Sequence, residues 1–530
     1  MVIDVRARFG ASLVTRAHAS ELREAISAAL RTEAAVVVDF SGVEFISIGG
    51  ADEAVGKLIL DFPQSVLSAR CHLAGIREGL GSIVRTAILW RIRLRWFPGP
   101  ERDIATRLME AGHKVYLVGG AVRDGVLGRM PHDADLATSA RPEDVLALFE
   151  GAKEDGAQFG RVLVAGVDVL TLRRDGVYRD ARRPSSVEFT DSIEEDLARR
   201  DFTVNALAVD FATGRIIDPF GGAADIENRT LRAVGDTHAR IREDALRIMR
   251  LVRFAATLGF VIEEETARAA SVHADRLGLI APERIRDELS KLLLGDAVRG
   301  LRAMEGLGIL RVVLPDIALE VGVEQRTERH YLDVWEHTLA VVGATPANLE
   351  LRLAALFHDV GKPLTKEHRD GRDTFHRHEQ VGAEVARRVL TGLRYPTAIV
   401  ERVVSLVANH MFNFRANTKT STVRRFIAKV GPDLVPDLLA LRAADRAGSK
   451  ASPGLGTSGS LLAEVAREMA TEAHPLRVAD LPVDGCDVMA LGIPEGPAVG
   501  RALKACLDLV LEDPAKNTRD ALLTFLAEWA

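Results

Sequence analysis

Two aspartates one residue apart, Asp133 and Asp135, are the residues of this sequence best suited to holding a divalent metal ion. If they lie on a strand, their side chains point to the same face, because side chains alternate along a strand. Paired carboxylates repel each other unless a cation neutralises them, and Mg²⁺ prefers one or two carboxylates together with phosphate oxygens. If the pair stood alone, two solvated aspartates in a turn would be the simpler interpretation.

A phosphate-binding turn is predicted just before this pair. Residues 114–118 have the composition of a strand, and Gly119 and Gly120 allow a tight turn into a helix whose N-terminus attracts anions. Farther along, a hairpin predicted around Gly166 carries Asp168, a third carboxylate. With it, two Mg²⁺ ions could bind, one at a primer 3′-hydroxyl and one at a nucleoside triphosphate.

The ordered motifs resemble those of class II tRNA nucleotidyltransferases and bacterial poly(A) polymerases. Gly-Gly-x-Val-Arg-Asp and Asp-x-Asp are followed by counterparts of the family's flexible loop, ribose and triphosphate motif, hinge-like turn and base-selecting motif, at 178–184, 196–206, 218–222 and 243–247. The resemblance covers roughly residues 96–530. It implies an enzyme that adds or repairs the 3′-terminal CCA of tRNA from CTP and ATP, with release of pyrophosphate.

The resemblance also assigns roles to individual residues. The catalytic residues would be Asp133, Asp135 and Asp168, and the nucleotide-binding residues Gly119, Gly120, Arg123, Arg199, Arg200, Asp201, Asn205, Asp244, Arg247 and Arg250. Guanidinium groups such as those of Arg199 and Arg200 bind phosphate in bidentate fashion, although salt bridges to nearby acids would also explain them. Asp201 and Asn205 fit either ribose hydroxyls or the cap of a helix.

Asp244 and Arg247 are predicted to select the incoming base. At positions i and i+3 of a helix they would share a face. Cytosine and adenine both carry an exocyclic amino group beside a ring acceptor, so the aspartate can accept from the amino group while the arginine donates to the ring. Uracil and guanine present a carbonyl to the aspartate, and the unpaired buried groups reject them. Alone, the two residues would be interpreted as a surface ion pair.

A second group of metal-binding side chains lies in the helical part of the sequence and resembles the HD metal-dependent phosphohydrolases. Its members are His337, His358, Asp359, His378, His410 and Asp445, with His378 preferred to His376 and with His330 as a further candidate. Imidazoles combined with carboxylates suit Mn²⁺, Ni²⁺, Fe²⁺ or Zn²⁺ better than Mg²⁺. The resemblance implies phosphatase or 2′,3′-cyclic phosphodiesterase activity, or a domain that has become a scaffold.

Residues 1–92 are predicted to form a separate small α/β domain. Residues 34–40 are an apolar, β-branched run typical of a buried strand. The segment that follows resembles STAS-like domains, with Gly49 in place of the serine that is phosphorylated in some of them. We therefore expect a docking or stabilising module with a protein partner, and no phosphoswitch.

The length of 530 residues predicts several domains. After the α/β module we expect a mixed α/β head at 96–225, a helical neck at 226–310, an HD-type helical domain at 311–450, and a linker with a helical tRNA-binding tail at 451–530. Membrane-spanning and secretory segments are not expected, and the three scattered cysteines suggest a cytoplasmic protein. The net charge of −6 leaves RNA binding to a local basic patch.

Three other activities remain open. A partial enzyme that adds only CC or only A would carry the same motifs, although loop residues Asp180, Arg182 and Pro184 favour the complete enzyme. A poly(A) polymerase should have basic flanks for long RNA, whereas residues 460–530 contain twelve acids and six bases. An HD phosphohydrolase with a decayed transferase head is disfavoured, because the acids and arginines of the head motifs are all present.

Overall fold

The computed structural model describes residues 1–529 except 14, 63, 78, 85–86, 89–95, 98, 130–133, 155, 177–185, 326–331, 370–371, 450–453 and 473. The chain divides into two compact units, Met1–Glu243 and Asp244–Ala530. The boundary predicted at residue 225 therefore lies inside the first unit, which continues through the helix Thr237–Glu243. Within the described ranges, no helix combines the length and the apolar character needed to cross a bilayer.

The N-terminal residues form an α/β layer around their own core. The strands are β1 (Val2–Asp4), β2 (Ser12–Leu13), β3 (Val36–Asp39), β4 (Phe45–Ile46) and β5 (Cys71–Ala74). The helices are Val5–Phe9, Arg16–Thr32, Ile48–Ala51, Leu58–Asp61 and Gln64–Arg70, with a π-helical turn at Asp52–Gly56. β3 is the centre of a parallel sheet with β1 and β5, and β2 pairs with β4. Val36 and Val38 are buried in a core that also receives Leu22 and Ile26.

The head is built on a mixed sheet, as predicted. Its strands are β6 (Val115–Val118), β7 (Asp135–Thr138), β8 (Lys153–Glu154), β9 (Arg161–Val164), β10 (Val167–Thr171), β11 (Arg173–Asp175), β12 (Val187–Phe189), β13 (Ala208–Asp210), β14 (Ile216–Ile217) and β15 (Thr230–Leu231). Seven of them form one sheet in the order β14-β13-β6-β7-β10-β9-β8. β7 and β10 are parallel, and the other neighbours are antiparallel. β11 and β12 form a separate ribbon.

Short helices surround this sheet. They are Glu101–Glu110, Gly120–Val126, Pro142–Leu148, Ile193–Ala198, Gly222–Glu227 and Thr237–Glu243, with 3₁₀ turns at Ala157–Phe159 and Thr203–Asn205. All four residues of β6 are buried, because the strand lies inside the sheet between β13 and β7. Its end at Val118 is therefore a rigid point from which the next turn begins.

The second unit is almost entirely helical. Its helices are Leu246–Leu258, Glu264–Val272, Pro282–Leu294, Ala297–Gly306, Ile309–Val313, Pro315–Ala318, Val334–Ala344, Leu349–Phe357, Lys362–Thr365, His378–Gly392, Thr397–Asn409, Thr420–Val430, Val435–Ala447, Gly456–Thr471, Gly485–Ala490, Pro497–Glu512 and Arg519–Trp529. Its 3₁₀ turns are Ala274–Leu279, Pro432–Leu434, Val478–Asp480 and Pro514–Lys516, and its short strands are β16 (Val261–Ile262), β17 (Glu367–Arg369) and β18 (Arg372–Thr374). The last helices form a satellite core that includes Val488, Cys506 and Leu522.

Residues 448–459 are rich in Gly, Ser and Pro, a composition that predicts a linker, but the last of these residues do not form one. Helical structure starts again at Gly456, and the helix continues to Thr471. Ser458 is buried, and its hydroxyl group accepts a hydrogen bond from the backbone N–H of Phe414 at 2.9 Å. The start of this helix is thus part of the packed second unit.

Candidate active sites

The predicted phosphate-binding turn is present at the end of β6. Gly119 has a φ of +73°, and the helix Gly120–Val126 follows it directly. A Cβ at Gly119 would lie 2.9 Å from Nη1 of Arg200, and one at Gly120 would lie 3.4 Å from Nη2 of Arg123. The turn therefore needs its glycines, and two guanidinium groups lie against it.

Of the three predicted catalytic aspartates, Asp135 lies beside this turn. Asp133 is outside the described residues, so its position relative to Asp135 stays a prediction. Asp135 begins β7 and is the ladder partner of Val118, the residue just before the turn. On the neighbouring parallel strand, Val169 pairs with Leu136, and both are buried.

Because side chains alternate along strands, Asp135 and Asp168 share the opposite face of the sheet from that buried pair. Asp168 also follows the turn of the predicted hairpin, formed by β9 and β10. Its carboxylate is held by Arg161, whose Nε and Nη2 donate hydrogen bonds of 2.9 and 3.0 Å. Arg161 was not predicted, although the hairpin register places it diagonally opposite Asp168.

Arg199 and Arg200 are both anchored to Asp196, which is 1% exposed. Arg199 donates to Asp196 Oδ1 at 2.7 Å through Nη2, and Arg200 donates to Oδ2 at 3.2 Å. Burial works to raise the pKa of Asp196, but the two guanidinium groups outweigh it and hold that pKa below its ordinary value. Both arginines therefore form salt bridges with Asp196, which was the alternative interpretation of the sequence. The guanidinium group of Arg200 also lies against the glycine turn.

Arg123, Asn205 and Asp201 form a connected polar chain. Arg123 Nη1 donates to Asn205 Oδ1 at 2.7 Å, and Asn205 Nδ2 donates to Asp201 Oδ1 at 3.1 Å. All three residues are at most 8% exposed. The structure therefore brings five predicted nucleotide ligands together around one turn, the two glycines, Arg123, Arg200 and Asn205.

Contrary to the expectation, Asp244 does not lie in the helix that carries Arg247. Asp244 precedes the helix Leu246–Leu258, and its Oδ1 accepts a hydrogen bond of 3.0 Å from the N–H of Leu246. Its carboxylate is gripped by Arg284, with Nη2 donating to Oδ2 at 2.8 Å. Arg284 comes from the helix Pro282–Leu294, so the residues around Asp244 do not indicate this partner.

Two further predictions concern the same motif and the flexible loop. Arg250 Nη1 lies 3.8 Å from Oε1 of Glu288, and its guanidinium lies over the ring of Phe254 at 5.3 Å. Asp180, Arg182 and Pro184 lie outside the described residues, as does His330. Their roles stay predictions.

The six predicted HD residues converge in the second unit. The Nε2 atom of His337 lies 3.3 Å from that of His358 and 3.2 Å from Oδ1 of Asp445. Asp359 connects the two halves of the cluster, with Oδ2 3.2 Å from His358 Nε2 and Oδ1 3.4 Å from His378 Nε2. His410 completes a second triad with Asp359 and His378, within which the candidate ligand atoms lie within 4.8 Å of one another.

The four imidazoles are oriented for metal binding. The Nδ1 atoms of His337, His358, His378 and His410 lie 3.0, 2.7, 2.8 and 2.7 Å from backbone carbonyl oxygens. A ring that donates Nδ1–H to a carbonyl keeps Nε2 for a metal. His378 Nε2 is buried and has no hydrogen-bond partner in the described chain, as expected for a ligand atom. The donor set therefore fits one or two transition-metal ions, which these imidazoles would hold together with Asp359 and Asp445.

The ionisable groups of this cluster shift one another's pKa values. Burial disfavours the charged form of His358, but Asp359 outweighs it and raises the pKa of His358 to about 9. Burial, with the neighbouring imidazoles, lowers the pKa of His410 to about 3. Lys362 Nζ lies 2.6 Å from Asp359 Oδ2 and donates to Gln325 at 2.6 Å. A metal ion must displace protons from such a cluster.

Glu320 was not predicted and is fully buried beside this cluster. Burial raises the pKa of its carboxyl to about 8, with Asp359 adding to the effect. Neither carboxyl oxygen has a hydrogen-bond partner in the described chain. Its sequence position, after a short helix, carries no sign of such burial.

The HD cluster opens into a cavity of about 870 Å³. Asp359, His378, His410 and Asp445 line it, together with several cationic side chains. The exposed His376 also lines the cavity, but the clustered ligand atoms belong to His378, which agrees with the sequence preference. A phosphate ester in this cavity would reach the metal-binding groups.

Known proteins share these features. The family model for the Poly A polymerase head domain matches residues 115–232, the one for the probable RNA and SrmB-binding site of polymerase A matches 259–320, and the HD domain matches 327–481. A CC-adding tRNA nucleotidyltransferase of Thermus thermophilus is 40% identical, over 78% of this chain and 93% of its own. An A-adding tRNA nucleotidyltransferase of Deinococcus radiodurans is 36% identical, over 78% and 95%.

A solved structure agrees with these sequence relatives. The Bacillus stearothermophilus CCA-adding enzyme, crystallised in complex with CTP, is 31% identical and aligns with a TM-score of 0.63, over 81% of this chain and 96% of its own. The likeness of residues 1–92 to STAS-like domains stays a prediction. From the ordered motifs, the mixed-sheet head and these relatives, the chain belongs to the tRNA nucleotidyltransferase family, as an enzyme whose poly(A) polymerase head is followed by an HD domain.

Proposed function

We propose that the chain completes the 3′ CCA end of tRNA from CTP and ATP, with release of pyrophosphate. The observation that carries the proposal is the glycine turn, which has Arg123 and Arg200 against it and Asp135 on the adjacent strand. The turn and the two guanidinium groups would hold the triphosphate. Asp133, Asp135 and Asp168 would hold Mg²⁺, which neutralises the phosphates and activates the primer hydroxyl.

The remaining residues would position the nucleotide. Asp196 fixes the directions of Arg199 and Arg200, so that both are preorganised for a polyphosphate. Asp201 and Asn205 would contact the ribose, since their polar chain ends on Arg123. Asp244 would accept from the amino group of cytosine or adenine, and Arg247 would donate to the ring. Arg284 would keep the Asp244 carboxylate oriented.

The test is incorporation on a tRNA that lacks its CCA end, with CTP alone, ATP alone, or both. The proposal predicts two additions with CTP and a third only when ATP is present. Two C residues and no A, or a single A only on a tRNA that already ends in CC, would instead indicate partial enzymes like the relatives from Thermus and Deinococcus. A long ladder of A residues would indicate a poly(A) polymerase.

Base selection has its own test. In the Arg247→Ala variant, discrimination among the four nucleoside triphosphates should be lost before turnover is lost, because the variant removes only the donor to the ring. Steady-state kinetics with each nucleotide would measure this. Unchanged discrimination in a folded variant would remove Arg247 from the role.

A second activity is supported by the HD cluster, namely metal-dependent hydrolysis of phosphate esters. Four imidazoles oriented through Nδ1 and two carboxylates would hold one or two ions of Mn²⁺, Ni²⁺, Fe²⁺ or Zn²⁺, which activate water. In a 2′,3′-cyclic phosphate, the water oxygen would bond to phosphorus, one ribose P–O bond would break, and the proton would pass to the released oxygen. The product would be an RNA end that carries a phosphate monoester on its ribose. Once this phosphate is removed, the head could extend the RNA end.

This second activity is tested with a cytidine 2′,3′-cyclic phosphate substrate and each metal in turn. Metal-stimulated hydrolysis that a chelator abolishes is the expected result. Bound metal without hydrolysis would indicate that the HD domain serves only as a scaffold. Hydrolysis without any nucleotide incorporation would instead identify a phosphohydrolase with a decayed head.

For residues 1–92 we propose a docking module for a protein partner. The support is a core of its own, which includes Ile3 and Val84. Deletion of this module should leave CCA addition unchanged and remove co-purifying partners. Loss of nucleotide incorporation in a folded deletion variant would assign the module a direct part in catalysis.

A further inference from the structure

The HD cavity is also lined by cationic and donor groups that are not themselves predicted metal ligands. They are Arg415, Arg442 and Arg446, together with the first turn of the helix Gly456–Thr471. We propose that they form a second phosphate subsite, which receives the phosphodiester on the 5′ side of the RNA nucleotide whose 3′ end lies at the metal-binding cluster. The proposal rests on the proposed hydrolytic function and names its substrate as a polymeric RNA end.

The first observation is the uncapped helix N-terminus. The helix Gly456–Thr471 has 16 residues, and no side chain caps its first turn. Gly456, Thr457 and Ser458 all line the cavity. Free N–H groups and the dipole at the start of a long helix attract a phosphate.

The second observation is the packing of Arg446 against that turn. A Cβ at Gly456 would lie 2.8 Å from Cζ of Arg446, so the guanidinium group lies directly over the glycine backbone. Arg446 Nε donates a hydrogen bond of 2.9 Å to the carbonyl of Gly454. This contact fixes the guanidinium at the start of the helix, where it adds its charge to that of the helix N-terminus.

The subsite is adjacent to the metal-binding cluster. Arg442 and Arg446 are one helical turn apart on Val435–Ala447, the helix that also carries Asp445. Arg442 Nη1 lies 3.7 Å from Asp445 Oδ2. His378, a predicted metal ligand, lines the same cavity, so the subsite and the metal-binding cluster share one space.

The charges in the cavity favour an anion with more than one phosphate. Arg415 makes no ion pair with any described residue and is exposed at the cavity. Among the lining acids, Asp373 lies 3.2 Å from Lys366 Nζ and 2.8 Å from His368 Nδ1, and Asp359 pairs with Lys362. A cavity of about 870 Å³ exceeds the needs of one phosphate group and holds a nucleotide with phosphates on both sides.

The test compares cytidine 3′,5′-bisphosphate with cytidine 3′-monophosphate, which differ only in the 5′-phosphate. Binding to the full chain is measured by calorimetry with a chelator present, so that no hydrolysis occurs. The wild type should bind the bisphosphate about tenfold more tightly, as expected for one charge-assisted contact. Arg446→Ala and Arg415→Ala should lose that gain, and Arg446→Lys should keep part of it.

Arg467→Ala is the matched control, because Arg467 is an exposed residue on the same helix and does not line the cavity. It should behave like the wild type. With metal present, Arg446→Ala should also raise KM about tenfold for a trinucleotide ending in a 2′,3′-cyclic phosphate, with KM for the cyclic mononucleotide unchanged.

Equal binding of the two cytidine ligands by the wild type would overturn the subsite, as would an equal loss in Arg467→Ala. If either result is obtained while the chain still hydrolyses cyclic phosphates, only the subsite is overturned and the proposed hydrolytic function is retained. A bisphosphate preference that depends on Arg446, without hydrolysis of either cyclic substrate, would instead support the subsite and overturn the hydrolytic function.

Discussion

The transferase head and the HD cavity differ in how their charged groups are satisfied. In the head, several of the described candidate residues already have protein partners: Asp168 is held by Arg161, and Arg199 and Arg200 are held by Asp196. In the HD cavity the imidazoles turn Nδ1 to the backbone and gather Nε2 atoms around positions that the chain leaves to a ligand. We therefore expect the head to bind a nucleotide transiently and the HD cluster to hold metal permanently.

The largest effect is expected from the Asp135→Asn variant, which removes a carboxylate charge from the head alone. Nucleotide incorporation should fall about a thousandfold, because several kcal/mol of charge stabilisation is lost. Hydrolysis in the HD cavity should not change. Single-turnover incorporation on tRNA measures the effect, with the exposed Asp103→Asn variant as control. Near-normal incorporation would contradict a metal-binding role for Asp135.

The next largest effect is expected when one imidazole is removed from the HD cluster. His378→Ala should weaken metal binding at least about a hundredfold, because a ligand matters at least as much as the groups that orient it. His376→Ala is the control, since His376 lines the same cavity outside the ligand cluster. Metal content after dialysis against a chelator gives the readout. If His376→Ala were the variant that lost metal, the ligand assignment would be reversed.

A smaller effect is expected at the base-selecting motif. Arg284→Ala should reduce the preference for CTP and ATP over UTP and GTP about tenfold, because Asp244 loses the partner that orients it. Arg286→Ala is the matched control on the same helix, where Arg286 pairs with Asp287. Ratios of kcat/KM for the four nucleotides measure the change. Equal discrimination in both variants would show that Arg284 only stabilises the fold.

The smallest effect concerns stability and pH. Glu320 has a pKa of about 8 in the fold against an ordinary value of 4.5, so between these values the unfolded chain loses a proton that the folded chain keeps. Its contribution to stability therefore falls as the pH rises from about 5 to 8. In metal-free protein, Glu320→Gln should raise Tm by about 2–4 °C at pH 8 and little at pH 5. A constant difference across this range would contradict the buried neutral carboxyl.

The features that could be predicted from the sequence are those set by residues close together in the chain. The glycine turn, the strand after it and the hairpin around Gly166 follow from residue types and short spacings, and the structure contains all three. His337, His358 and Asp359 were predicted from runs that resemble the HD family, and His378, His410 and Asp445 from their residue types and spacing.

The contacts that escaped sequence reasoning are those between distant elements. Arg284 reaches Asp244 from 40 residues away, and nothing in the local pattern of either residue indicates the other. The burial of Glu320 depends on how several helices pack around it. The segment rich in Gly, Ser and Pro predicted a linker, yet from Gly456 onward tertiary packing makes it helical, with Ser458 bonded to Phe414.

The most direct test of the central claim is the sequence of the 3′ ends that the chain produces. A tRNA lacking its CCA end would be incubated with all four nucleoside triphosphates and Mg²⁺, and its ends sequenced. The account predicts that C, C and A are added in that order and that addition then stops, with U and G rare. Unextended ends, ends of mixed sequence, or runs of A would contradict it.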